Sequence, residues 1–193
     1  MLAGRDLEIL RPRDTEALLD ERAFEHEEFL PYWAELWPSG HALARALAGR
    51  ALRGARTLEL GCGLALPSLA AALAGGRVLA TDWAPAAIEL ARENAERNGI
   101  DLELAVSAWA EPEALVERAP WDLVLGADLL YEQRNAELLA PLLPRLGREV
   151  WLADPGRPPA ARFLQTAAET FEVETRRVPE LPQGGIHRLR ARL

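Results

Sequence analysis

The sequence predicts an α/β fold, a mainly parallel sheet covered by helices on both faces. Short β-type runs alternate with longer amphipathic stretches of helical period. Each run stops at polar or Gly/Pro punctuation instead of continuing as a bundle helix. Size gives a third indication. The 193 residues, 49% of them hydrophobic, suffice for one substantial core and sit near the length at which a second becomes unfavourable. One domain over 1–193 is expected, with a helical N-terminal cap segment over 1–53 and the sheet-bearing core over 54–193.

Five buried strands are expected at Thr57–Leu60, Val78–Thr81, Leu102–Val106, Leu123–Leu125 and Val150–Leu152. The intervening helices are expected at Pro67–Ala74, Ala84–Asn98, Glu113–Arg118, Asn135–Leu146 and Pro159–Thr170. Asp82 with Pro85 makes a good helix start, and Asn98-Gly99 a good stop. From Phe171 to Val178 and from Ile186 to Leu193 the tail reads as two strands about a turn containing Pro182 and Gly184-Gly185, an antiparallel pair at the end of the sheet. Ahead of the first strand, Asp14–Leu30 and His41–Arg50 read as helices bracketing an aromatic segment, Pro31 to Pro38.

Composition removes several function classes. The net charge of −8 disfavours nucleic acid as a partner, because nonspecific grip comes from basic groups displacing counterions. The first 13 residues lack the apolar core of a signal peptide, and no window approaches a membrane span. The single cysteine, Cys62, excludes an internal disulfide framework and fits a reducing cytoplasm. His26, His41 and His187 are scattered and make no metal site.

The strongest local signal is Leu58-Glu59-Leu60-Gly61-Cys62-Gly63-Leu64, a strand running through a Gly-x-Gly turn into a helix. The two glycines allow a tight turn and let a ligand approach without meeting a Cβ. The next strand ends at Asp82, 21 positions after Gly61, matching the acid that grips ribose hydroxyls in nucleotide-binding βαβ units. Leu66 replaces the third glycine of the dinucleotide fingerprint, which weakens a pyrophosphate site at the helix N-terminus. Glu59 points the same way: a carboxylate there repels a diphosphate but suits a ligand with an ammonium and a sulfonium. These two residues count against an NAD-dependent oxidoreductase. The bland alternatives are a plain strand-to-helix turn for the glycines and a helix N-cap for Asp82. Trp83 either lies against an adenine face or covers the sheet edge.

Taken in order, Glu59-Leu-Gly-Cys-Gly63, Ala80-Thr-Asp82 and Gly126-Ala-Asp128-Leu-Leu-Tyr131-Glu resemble the seven-β-strand S-adenosylmethionine methyltransferases, specifically the family-16 lysine methyltransferase-like group with its Asp-x-x-Tyr motif. Pro31-Tyr-Trp33-Ala-Glu-Leu-Trp37-Pro-Ser-Gly40 and Ala153-Asp-Pro-Gly-Arg157 are similar to stretches of its electron-transfer flavoprotein beta subunit lysine methyltransferase branch and the bacterial nicotinamide N-methyltransferase-like relatives. The likeness covers roughly Glu28 to Pro159. It implies a Rossmann-like core with five parallel strands and a C-terminal antiparallel pair. It also implies S-adenosylmethionine as cofactor, S-adenosylhomocysteine as product and a protein lysine as acceptor, on the electron-transfer flavoprotein beta subunit or another protein. A small nicotinamide-like amine and a noncatalytic cofactor-binding protein are the alternatives.

Residue by residue, the resemblance implies contact with the methionine moiety along Glu59, Gly61, Cys62 and Gly63, ribose contact at Asp82, adenine contact near Trp83 and Trp109, and a cofactor-side role for Trp37. Asp128 and Tyr131 would face cofactor and substrate as the catalytic pair. The acid that often precedes the tryptophan after the third strand is missing from Ser107-Ala108-Trp109. The adenine amine must then find backbone or Ser107.

Methyl transfer from a sulfonium is an in-line displacement needing alignment and desolvation, and no covalent enzyme intermediate. A nucleophilic Cys62 is unnecessary. For a lysine acceptor, Asp128 is better cast as a positioning acceptor than as a strong base, and Tyr131 would turn a ring face to the amine if the turn continues as a helix. The alternative for Asp128–Tyr131 is a helix cap followed by core and surface residues. Asp154-Pro-Gly-Arg157 is either a simple turn or a substrate-side loop, and its place at a strand's carboxyl end favours the loop.

Overall fold

The computed structural model describes residues 5–14 and 31–192. The expected helix Asp14–Leu30 lies outside them but for Asp14. Seven strands form one sheet: β1 Arg56–Leu60, β2 Arg77–Asp82, β3 Glu103–Val106, β4 Leu123–Ala127, β5 Glu149–Asp154, β6 Phe171–Val178 and β7 Leu181–Ala191. Their order is β3-β2-β1-β4-β5-β7-β6. Strands β1 to β5 run parallel, and β7 pairs antiparallel with both β5 and β6. The helices are α1 Pro38–Ala48, α2 Leu66–Leu73, α3 Pro85–Asn98, α4 Glu113–Glu117, α5 Gln133–Leu146 and α6 Pro158–Ala167. Among the described residues, each expected element apart from β7 is found with ends shifted by three residues or fewer. Proline in the first turn, where its missing N–H costs nothing, starts α1, α2, α3 and α6.

Side chains alternate across the sheet with the strand's period of two. Leu58, Leu60, Val124, Val150 and Leu152 face α5 and α6, where they meet Leu139, Leu143 and Phe163. Leu123, Leu125, Trp151 and Ala153 face the other way, toward Leu43 and Leu47 of α1 and Ala70 of α2. This alternation puts Glu59, between Leu58 and Leu60, on the α1/α2 side. Among the described residues no helix is long and apolar enough to cross a membrane.

Within the segment expected to be a helical cap, residues 5–14 carry no helix. Two buried asparagines one helical turn apart on α3 hold this stretch in place. Asn94 Oδ1 accepts the Leu10 N–H at 2.6 Å and Asn98 Oδ1 the Glu8 N–H at 3.0 Å, and their amides donate back to the Leu10 and Glu8 carbonyls. Asn94 also donates to Leu64 O at 3.2 Å, so the same side chain fixes the loop after the Gly-x-Gly turn.

The C-terminal hairpin departs from expectation in one respect. Its turn is Pro179-Glu180, and Pro182, Gly184 and Gly185 lie inside β7. The glycines serve close packing instead of reversal. A Cβ on Gly184 would overlap the Asp154 carbonyl, and one on Gly185 would stand 2.6 Å from Arg176 O. The loop after β5 thus rests backbone to backbone on β7. Gly184→Val is expected to destabilise the fold by about 1–3 kcal/mol through overpacking, read as a lower denaturant midpoint; an unchanged midpoint would show that loop and strand part freely.

Candidate active site

The strand order reverses between β1 and β4, and at the carboxyl ends of these strands an open α/β sheet leaves a crevice. A cleft of about 350 Å³ lies there, within the size range of small-molecule sites. Glu59, Gly61, Cys62 and Gly63 line it from β1 and the following turn, and Asp82 and Trp83 from the end of β2. Trp37, Trp109, Asp128 and Tyr131 complete the expected set, so all ten residues meet at one cleft. In particular, Glu59, Asp82 and Asp128 all line this one cleft.

The Gly-x-Gly turn has φ near +60° at Gly61 and +49° at Gly63, and a Cβ on Gly63 would stand 2.8 Å from Trp33 O. Only glycine fits that approach. The turn is tied to β2 by Asp82, whose Oδ2 accepts the Gly63 N–H and whose Oδ1 accepts the Ala84 N–H, both at 3.0 Å. Asp82 is not the N-cap of α3; Ala84 occupies that position without a side-chain cap. Burial raises the Asp82 pKa, and the N–H groups of Ala84, Gly63 and Trp83 oppose that.

Glu59 is 1% exposed and accepts a hydrogen bond from Ser68 Oγ of α2. Burial pushes its carboxyl up to about 8, against the lowering effect of Ser68. The Cys62 thiol is pushed well up by burial and by Asp82 and Glu59. It stays a thiol at neutral pH and is no nucleophile. Trp109 packs over Gly61, with Cζ2 3.3 Å from where a Cβ would stand. Trp83 is at the rim, 40% exposed. The Trp37 indole donates to Tyr32 O at 2.8 Å, and the Tyr32 ring bridges to Tyr131 at 5.1 Å between centroids.

Asp128 follows β4 with φ +59°, a left-handed conformation that Asp tolerates better than most residues. Its N–H continues the ladder by donating to Ala153 O at 2.9 Å. The chain does not continue as a helix from Asp128; residues 128–132 form a turn and α5 starts at Gln133. Tyr131 reaches the cleft through that turn, which Asn135 Nδ2 pins by donating to Leu129 O at 3.0 Å. Burial raises the Tyr131 pKa, so its hydroxyl remains protonated.

Sequence reasoning missed Arg157 as a member of the site. The loop after β5 is held by Asp154 Oδ1, which accepts the N–H groups of Gly156 and Arg157 at 2.7 and 2.9 Å. It delivers the Arg157 guanidinium to Asp128 Oδ1 at 2.5 Å, and Arg157 lines the cleft. The loop is therefore part of the cleft and not a simple turn. The signals for the loop were its position at a strand end and the resemblance of Ala153–Arg157 to the related sequences, but neither told of the ion pair, which joins residues 29 positions apart.

A family model described as lysine methyltransferase matches residues 31–150. The electron transfer flavoprotein beta subunit lysine methyltransferase of Xenopus laevis is 38% identical over 151 residues, 72% of this chain and 60% of that protein. Its Homo sapiens counterpart is 33% identical over 66% of this chain and 50% of its own length. The chain thus spans between half and three-fifths of the length of these relatives. The magnesium protoporphyrin IX methyltransferase of Synechocystis, solved with bound SAM, superposes with a TM-score of 0.63 over 93% of this chain and 97% of that one, at 16% identity, a likeness of fold. With a family match over well more than half its residues, the chain belongs to the lysine methyltransferase family.

Proposed function

We propose that this chain is an S-adenosylmethionine-dependent methyltransferase acting on a lysine side chain of a protein substrate. The observation that carries the reading is the convergence of Glu59, Asp82 and Asp128 on one cleft at the sheet's crossover. The family match and the relatives' named activity support the acceptor class. The relatives' named target makes the electron-transfer flavoprotein beta subunit the first substrate to try. A reducing, cytoplasmic setting fits the buried free Cys62.

The residues present fit the cofactor. Glu59 suits an ammonium, Asp82 suits ribose hydroxyls, the glycine turn leaves backbone room, and Trp83 and Trp109 offer ring faces. When bound, S-adenosylmethionine supplies an electrophilic methyl group to an amine lone pair in an in-line displacement, leaving S-adenosylhomocysteine.

An ordinary lysine amine, with a pKa of ~10.4, is neutral in only about four molecules in ten thousand at pH 7. The site must orient the amine and help it shed a proton to solvent. Asp128 accepts a hydrogen bond from the amine and aims it, and the Tyr131 ring bounds the same space. Tyr32 and Trp37 continue this aromatic surface along the cleft.

Incubating the purified chain with methyl-labelled cofactor and a lysate of its host is expected to place label in lysine of a host protein, identified by mass spectrometry. All 22 basic residues of this sequence are arginine, so label in lysine cannot arise from self-modification. Label confined to a small heterocycle would overturn the protein-lysine reading.

A further inference from the structure

Among the described residues the cleft is lined by five acids, Glu35, Glu59, Asp82, Asp128 and Glu132, and by one cation, Arg157. That cation is spent on a particular pair. Asp128 and Asp154 are buried, with side chains 7% and 1% exposed, and Arg157 Nη1 stands 2.5 Å from Asp128 Oδ1 and 3.7 Å from Asp154 Oδ2. Their remaining oxygens are short of donors: Asp128 Oδ2 and Asp154 Oδ2 accept no hydrogen bond from the described residues. Two buried carboxylates with one guanidinium carry a net charge of −1, and a buried excess charge is costly until a further cation joins it.

We propose that Arg157 is a positioning residue that sets the charge state of the methyl acceptor. By neutralising Asp128, which lines the cleft with Asp154 buried behind it, Arg157 lets the subsite admit one primary amine and hold that amine's proton less firmly than the two carboxylates alone would. The inference rests on the lysine-acceptor reading and adds to it the residue that makes the acceptor reactive. Without Arg157 the pair would hold the ammonium form too firmly, since an uncompensated dianion raises the amine's pKa. With Arg157 the opposing charge lowers it, and the proton leaves to solvent before the nitrogen lone pair attacks. The Trp37 ring, 5.9 Å from the guanidinium carbon, and the backbone packing of Gly156 on Gln183 and Gly184 keep the arginine at this post. Among the described residues the other titratable groups at the cleft are Glu59, Cys62 and Asp82 from the ends of β1 and β2, Tyr131 and Glu132 after β4, and Tyr32 and Glu35 ahead of α1. None of these supplies a positive charge. Burial raises the Asp154 pKa; the backbone N–H groups of Arg157 and Gly156 lower it, followed by the charge of the guanidinium, and Asp128 raises it.

The test compares wild type, Arg157→Gln and Arg157→Lys. Because the contact to Asp128 is a single point, a lysine ammonium can replace it. In the ligand-free chain, carbon-13 carboxyl titration is expected to show one group of the Asp128–Asp154 pair titrating about one pH unit or more higher in Arg157→Gln, and close to wild type in Arg157→Lys. In the lysate assay, the acid limb of label incorporation into protein lysine should move up by about one pH unit in Arg157→Gln, lowering transfer about tenfold on the limb and by less as pH rises beyond it. Arg157→Lys should restore the profile, with label counted only in host-protein peptides because this variant gives the chain a lysine of its own. If Arg157→Gln lowers transfer equally at all pH values, or leaves it alone, with the carboxyl titration unmoved, Arg157 only props the loop and the proposal is wrong. If the wild type labels no protein lysine at any pH, the lysine reading fails instead, and the carboxyl titration still decides whether Arg157 governs the pair.

Discussion

Glu59→Gln is expected to weaken S-adenosylhomocysteine binding by about 30- to 150-fold, the worth of a charge-assisted hydrogen bond of ~2–3 kcal/mol, while leaving the ligand-free chain at least as stable. The reason is the burial of Glu59, which pushes its carboxyl up to about 8. Its folded pKa lies above the unfolded value, so its contribution to stability is full below the unfolded pKa and is lost as pH rises toward and through 8. Glutamine, which does not titrate, is spared that loss. The melting temperature of Glu59→Gln relative to wild type should therefore climb between pH 5 and 8. A ligand ammonium favours the carboxylate, so wild-type binding at pH 7 should release a proton. Affinity should then rise with pH and level off near 8. Calorimetry in buffers of different ionisation heats reads the proton directly, and an equal proton count in the variant would show that Glu59 does not meet the ligand's charge.

Asp128→Asn should lower methyl transfer by about 10²- to 10³-fold, the scale of losing a preorganised polar contact at the reacting centre, with S-adenosylhomocysteine affinity changed less than tenfold. The amide keeps the shape but withdraws the charge that orients an amine, and it leaves Arg157 facing Asp154 alone. Single-turnover rates with labelled cofactor separate the two quantities. Transfer within threefold of wild type would remove Asp128 from the chemistry.

The parallel half of the fold was legible because each strand is a short apolar run closed by local punctuation, as at Leu60-Gly61 and Asp82-Trp83-Ala84-Pro85. The cofactor side of the cleft was legible for the same reason: Gly61, Gly63 and Asp82 follow directly from strand ends. The hairpin turn was not. Pro182 and Gly184-Gly185 read as a reversal, but glycine also marks close backbone approach, and the Asp154 carbonyl it must clear is distant in sequence. Asn98 reads from the sequence only as part of a helix stop, and no local pattern tells that residues 8–10 lie across it and Asn94. The pairing of Arg157 with Asp128 depends on β5 lying beside β4, a register that no local pattern encodes. What local chemistry dictates could be read; what only the assembled sheet brings together could not.

A crystal structure of the chain soaked with S-adenosylhomocysteine tests the account most directly. The amino-acid ammonium should lie against Glu59, the ribose against Asp82, and the sulfur should face Asp128. Density for the ligand on another face of the sheet, or a cleft left empty at saturating ligand, would contradict it.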